Sequence, residues 1–109
     1  MAMMLCAYDD GSGWKNLTLN TGVSGQAQIA KDGHAVFLRG SITVTANTDT
    51  TICSGTNALD AEYRPAYNLR FPISTSVTGN TGWLTIATDG TVKVRSTNVE
   101  AYGVFSYYV

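Results

Sequence analysis

Ala27-Gln28-Ile29-Ala30-Lys31-Asp32-Gly33-His34-Ala35-Val36-Phe37-Leu38 reads as two strands folded back about a tight turn. Asp-Gly is a preferred central pair for a type I′ turn, in which both central residues take positive φ, so the turn is expected to centre on Asp32 and Gly33. The second strand runs on through Arg39-Gly40-Ser41-Ile42-Thr43-Val44. Strand side chains alternate between faces, which puts Val36, Leu38, Ile42 and Val44 on one side and Phe37, Arg39, Ser41 and Thr43 on the other. Gly40 interrupts the apolar face and marks a bulge or a close backbone approach.

Outward from this hairpin the same period of two recurs. Trp14 to Leu19 is a short strand candidate, and Thr50 to Cys53 is another. Asn68 to Val77 sets Leu69, Phe71 and Ile73 against Arg70, Pro72 and Ser74; Pro72 has no N–H to donate, so this strand belongs at a sheet edge or carries a bulge. A second hairpin joins Trp83–Ala87 to Thr91–Arg95 through Asp89-Gly90. Tyr102 to Val109 closes the chain as a strand that is bulky on both faces, as expected of a central sandwich strand or one buried by a neighbouring subunit. No useful window places apolar residues at helical spacing. The expected fold is therefore all-β, a compact antiparallel sandwich or partly closed barrel of short strands. Residues 1–13 read as a lead-in from a longer parent, and residues 14–109 as one domain.

The 109-residue chain has a net charge of −1, and only 14% of its residues are charged, below the roughly 25% of an average soluble protein. Its surface is thus expected to be rich in uncharged polar groups or covered by other subunits. The cations Lys15, Lys31, Arg39, Arg64, Arg70, Lys93 and Arg95 are scattered along the sequence. That argues against nucleic acid, which requires a basic stripe, and against an anionic membrane surface. No run is long enough to span a bilayer, and the apolar start at Met1 lacks the basic region of a signal peptide. Cys6 and Cys53 with the single His34 fall short of a four-ligand metal site, and no cofactor is implied.

Candidate chemistry is sparse. His34 follows a tight turn, beside solvent, where a catalytic histidine would need a cleft and an orienting carboxylate. Asp60 and Glu62, if extended, share a face about 6–7 Å apart, near a glycosidase spacing, but Arg64 close by makes a structural ion pair the simpler reading. The chain is therefore not expected to be an enzyme. Trp83 and Tyr102 each adjoin a polar loop, and such rings stack on sugars as readily as they pack in cores and interfaces.

Several segments in order resemble the C-terminal receptor-binding head domains of bacteriophage tail fibres and baseplate proteins. They are Trp14 with Leu17 and Leu19, the strand Val36–Thr43, the corner Tyr63-Arg64-Pro65, the turn Asp89-Gly90 with Val92, and the aromatic last strand. The resemblance implies a trimeric β head at the tip of a virion's tail, assembled in the host cytoplasm and joined through an upstream part to other tail proteins. It implies adhesion to host cell-wall saccharide, with Trp83 and Tyr102 stacking on sugar rings, Asn98, Asp60 and Arg64 fixing hydroxyls or a phosphate, and His34 at the rim. Two other readings stand beside it: a trimerisation or capping tip without ligand, and a carbohydrate-binding module of a hydrolase.

Overall fold

A computed structural model describes residues 13–75, 81–96 and 100–109, the side chains of 100 and 102 excepted. The described residues form eight strands: β1 (Trp14–Asn16), β2 (Ser24–Asp32), β3 (Ala35–Thr43), β4 (Thr50–Cys53), β5 (Leu69–Pro72), β6 (Gly82–Ile86), β7 (Val92–Ser96) and β8 (Glu100–Tyr108). They make two antiparallel four-stranded sheets, ordered β1-β2-β3-β8 and β4-β7-β6-β5. The expected all-β sandwich is the observed fold. Most of the lead-in, residues 1–12 with Cys6, lies outside the described residues.

The inner faces follow the alternation of the sequence. Ile29, Val36, Leu38 and Ile42 of the first sheet meet Ile52, Leu84, Ile86, Val92 and Val94 of the second in one buried cluster. At one side the sheets are bridged by aromatic rings, Phe71 of β5 lying 5.3 Å from Phe105 of β8, centroid to centroid. At the other side Asn20 ties the β1–β2 connection to β4: its N–H donates to the Ile52 carbonyl (2.7 Å) and its side-chain amide to the Thr51 carbonyl (3.2 Å).

Both hairpins form, each with a turn that differs from a plain Asp-Gly pair. In the first, Asp32 pairs with Ala35, so the two-residue turn is Gly33-His34. Gly33 alone takes positive φ, at 62°, which is the pattern of a type II′ turn rather than I′. In the second, Ile86 pairs with Val92, and the Ala87 N–H donates to the Thr91 carbonyl across the three-residue loop Thr88-Asp89-Gly90. Gly90, at φ 88°, supplies the left-handed residue such loops require.

Gly40 marks a close approach and not a bulge. The β2–β3 register runs through it without a shift, and a Cβ there would stand 2.6 Å from the Gln26 carbonyl oxygen. Pro72 lies in β5, an edge strand, as its missing N–H requires. Of the two positions expected for the last strand, the central one is not observed: among the described strands β8 pairs with β3 and lies at an edge, with Val104 75% and Tyr108 81% exposed.

Residues 59–65 form a corner that closes one end of the sandwich. Leu59 and Tyr63 are buried, and Ala61–Tyr63 makes a single 3-10 turn. Leu59 donates its N–H to the Gly90 carbonyl (2.9 Å), Arg64 Nε donates to the Leu59 carbonyl (2.8 Å), and the Tyr107 hydroxyl of β8 donates to the Tyr63 carbonyl (2.7 Å). A Cβ on Gly90 would meet the Leu59 carbonyl oxygen at 2.6 Å. Gly90→Ala combines left-handed strain with that overlap, and is expected to lower stability by about 2–4 kcal/mol in urea titration. A loss below about 1 kcal/mol would show that the corner does not depend on this contact.

Cys53 is a free, fully buried thiol whose pKa burial pushes up to about 11. Its folded value lies above the ordinary 9.0, so its contribution to stability is intact below pH 9 and is lost as pH rises toward 11. In a Cys6→Ser variant the Cys53 thiol is expected to resist a disulfide reagent at neutral pH until denaturant is added; prompt labelling of that native protein would contradict its burial.

Candidate functional site

The outward residues of the second sheet form the most chemically distinctive surface among the described residues. With Leu84 and Ile86 buried, Trp83 and Thr85 of β6 point away from the core; by the same alternation Lys93 and Arg95 of β7, and Arg70 and Pro72 of β5, do too. The register aligns these residues in two rows across three strands, Pro72–Trp83–Arg95 and Arg70–Thr85–Lys93. The guanidinium carbon of Arg70 lies 4.9 Å from the Trp83 ring centroid, and that of Arg95 lies 5.9 Å from it. Both are within the range of cation–π attraction, worth about 0.5–1 kcal/mol each at exposed sites. Arg95 also pairs with Asp49 at 3.4 Å, an exposed contact that adds little.

The cations scattered in sequence are thus partly gathered in space: Arg70, Lys93 and Arg95 share one face. Sequence reasoning singled out Trp83 and missed the three cations. A signal was available for Arg95, because a three-residue loop at Thr88–Gly90 sets Arg95 opposite Trp83. Arg70 depends on the β5–β6 pairing, which no local turn specifies.

The other predicted site residues do not join this face. The β2–β3 turn, the corner and the β6–β7 turn lie together at the opposite end of the sandwich from the Gly82–Ser96 pair. His34 is exposed in the first of these turns, where its carbonyl accepts from the Val109 N–H at 2.8 Å. Asp60 immediately precedes the 3-10 turn, with no side-chain capping bond, and Glu62 lies within it, so the two are not on one extended strand. Arg64 does not pair with either carboxylate: its Nε goes to the Leu59 carbonyl, and the Arg95–Asp49 pair is the ion pair among the described residues. The cation beside the carboxylates is Lys15, whose pKa is raised by a hydrogen bond with Tyr63 and then by Glu62 and Asp60. The backbone of Tyr102 pairs with Ser41 in β8, and Asn98 lies outside the described residues.

The outer face of the first sheet has a different character. Arg39 stacks on Trp14, 3.8 Å from the ring centroid, and its Nε donates to the Gln28 side chain (2.9 Å), which in turn donates to Asn16 (2.9 Å). That cation is already engaged. Among the described residues no group of three or more His, Cys, Asp or Glu is placed to hold a metal ion.

No family model matches the chain, and no curated protein matches it. Among solved structures it is similar to the head domain of the lactococcal phage bIL170, described as a receptor-binding domain, with a TM-score of 0.61 at 18% identity. The likeness covers 88% of this chain and 96% of that one. The chain therefore shares the fold of that head domain over nearly its whole length.

Trp83 is half-buried on an outer face, held by two guanidiniums and not by core packing. Trp83→Ala is expected to leave a folded domain, less stable by about 1–2 kcal/mol in urea titration. A loss above about 4 kcal/mol would mark Trp83 as a core residue instead.

Proposed function

We propose that this chain is the receptor-binding head of a phage tail fibre or baseplate protein, and that it adheres to host cell-surface saccharide without catalysing a reaction. The observation that carries this reading is the fold shared with a phage receptor-binding head over 88% of the chain. The low charge content and the uncharged polar surface suit a protein that competes with water for sugar hydroxyls. Trp83 remains the leading candidate for saccharide contact. Because Arg70 lies over its ring, a sugar stacking on that face must displace a guanidinium, or else contact the guanidinium and the ring edge together.

The reading includes a homotrimer. The edge strand β8 presents Val104 and Tyr108 to solvent along a nine-residue strand with one side unpaired among the described residues, the kind of edge that folded proteins usually cover. Three weak sites on one head would raise avidity by about 10²–10⁴ without any new contact. The same edge would also serve a purely structural tip, so oligomeric state alone does not separate the two roles.

The decisive test is adhesion. Fluorescently labelled protein is incubated with a panel of Gram-positive cells, beginning with lactococci, before and after chemical removal of cell-wall polysaccharide. Binding to a subset of strains, lost on stripping and competed by the released saccharide, is expected. Binding that survives stripping would overturn saccharide as the ligand, and no binding to any strain would favour the structural tip. Light scattering is expected to give a mass three times the 11.6 kDa of one chain; a stable monomer would instead favour the binding module of a hydrolase.

A further inference from the structure

We propose that the outer face of the second sheet binds an anionic polysaccharide, one bearing phosphodiester or carboxylate groups, and that Arg70, Lys93 and Arg95 hold those groups. This deepens the adhesion reading by assigning the ligand's charge and its site.

Three observations carry it. First, the face concentrates like charge. Arg70 and Lys93 flank Thr85 in one row, with Arg95 in the next, and Asp49 is the single carboxylate paired to any of them among the described residues. Like charges on one sheet face oppose each other, and an anion laid across them removes that repulsion. Second, Trp83 holds two of the guanidiniums in place. Arginine's planar fork suits phosphate and carboxylate oxygens, and a guanidinium already oriented loses less freedom on binding. Third, Arg70 and Lys93 border an open groove of about 370 Å³ with Asn68, Thr85 and Thr91 along it, a size that admits a sugar residue with hydroxyl partners at hand.

Arg70 and Lys93 stand two strands apart, about 10 Å between their backbones, so their long side chains reach either one oxoanion between them or successive charged units on a chain. On the outer face of the first sheet Arg39 is engaged by Trp14 and Gln28, and the described side chains there form no such array.

The test is titration of the full chain with three purified polymers, followed by calorimetry: poly(glycerol phosphate), polygalacturonate and neutral dextran. Binding to one or both anionic polymers, weakening as salt is raised, is expected, with dextran at least about tenfold weaker. Binding of the phosphate polymer alone would identify a phosphodiester ligand, and of polygalacturonate alone a uronate. Arg70→Gln and Lys93→Gln are each expected to weaken binding by about tenfold, whereas Lys31→Gln, which removes the same charge from the β2–β3 hairpin, is expected to leave it unchanged. Equal binding of dextran, or equal weakening by Lys31→Gln, would overturn the proposal. Cell adhesion separates this proposal from the reading beneath it. Strain-specific adhesion untouched by Arg70→Gln and Lys93→Gln would keep the receptor role and reject this face. Polymer binding with no adhesion to any strain would keep the face and reject the receptor role.

Discussion

The fold depends on the close contact between Gly90 and the corner at residues 59–65. Two curved sheets packed face to face leave their ends open, and an open end exposes both apolar core and unpaired backbone. Here Leu59 fills the gap while its N–H and carbonyl are satisfied by the Gly90 carbonyl and by Arg64. Tyr63 follows it inward, and its carbonyl takes the Tyr107 hydroxyl from the opposite sheet. A buried carbonyl without such a donor would cost about 1–3 kcal/mol. The hairpin of one sheet, the corner and the last strand of the other are thereby tied together. Gly90 serves twice in this junction, once for its left-handed turn and once because a side chain would displace Leu59.

Strand positions were largely legible because local alternation encodes them: Val36, Leu38 and Ile42 lie on the buried face that their spacing predicts. Turn geometry was legible only in part. Asp32-Gly33 signals a hairpin, yet Asp32 pairs in the ladder and Gly33-His34 makes the turn, because a II′ turn needs a single left-handed residue and Gly33 provides it. Asp60 and Glu62 would share a face only if extended, and the local sequence does not decide whether they are. A 3-10 turn of three residues has no periodicity to detect, and what stabilises it here is non-local, through Tyr107 and Gly90. The edge position of β8 was hidden for the opposite reason. Its bulky two-faced composition is that of a buried strand, whereas sheet order is a property of the whole topology.

The candidate site illustrates the same limit from the side of function. Net charge and linear spacing argue against any basic surface, and as statements about the sequence they hold. Yet register converts residues 70, 93 and 95 into neighbours, around a tryptophan that packing alone does not explain. A shift of one residue in the β6–β7 loop would place Ser96 opposite Trp83 and turn Arg95 toward the core, so the length of the turn decides whether the cluster exists. The charge pattern is thus held by Gly90, the same residue that seats the corner.

The two outer faces differ in a way that bears on how copies of the chain would assemble. Around the second sheet, like charges on neighbouring strands would repel their counterparts on another copy, and burying them without partners would carry a heavy desolvation penalty. On the first sheet, Arg39 keeps its charge but is held by its stacking on Trp14 and its bond to Gln28, and the adjoining edge strand exposes Val104 and Tyr108. Self-association is therefore physically cheaper through β8 and its surroundings, leaving the second sheet facing solvent. Under the proposed reading as a trimeric adhesion head that division matters, because a surface that holds subunits together is not available to a ligand. In this chain the division follows from where the cations fall in the register, and the total number of charges does not determine it.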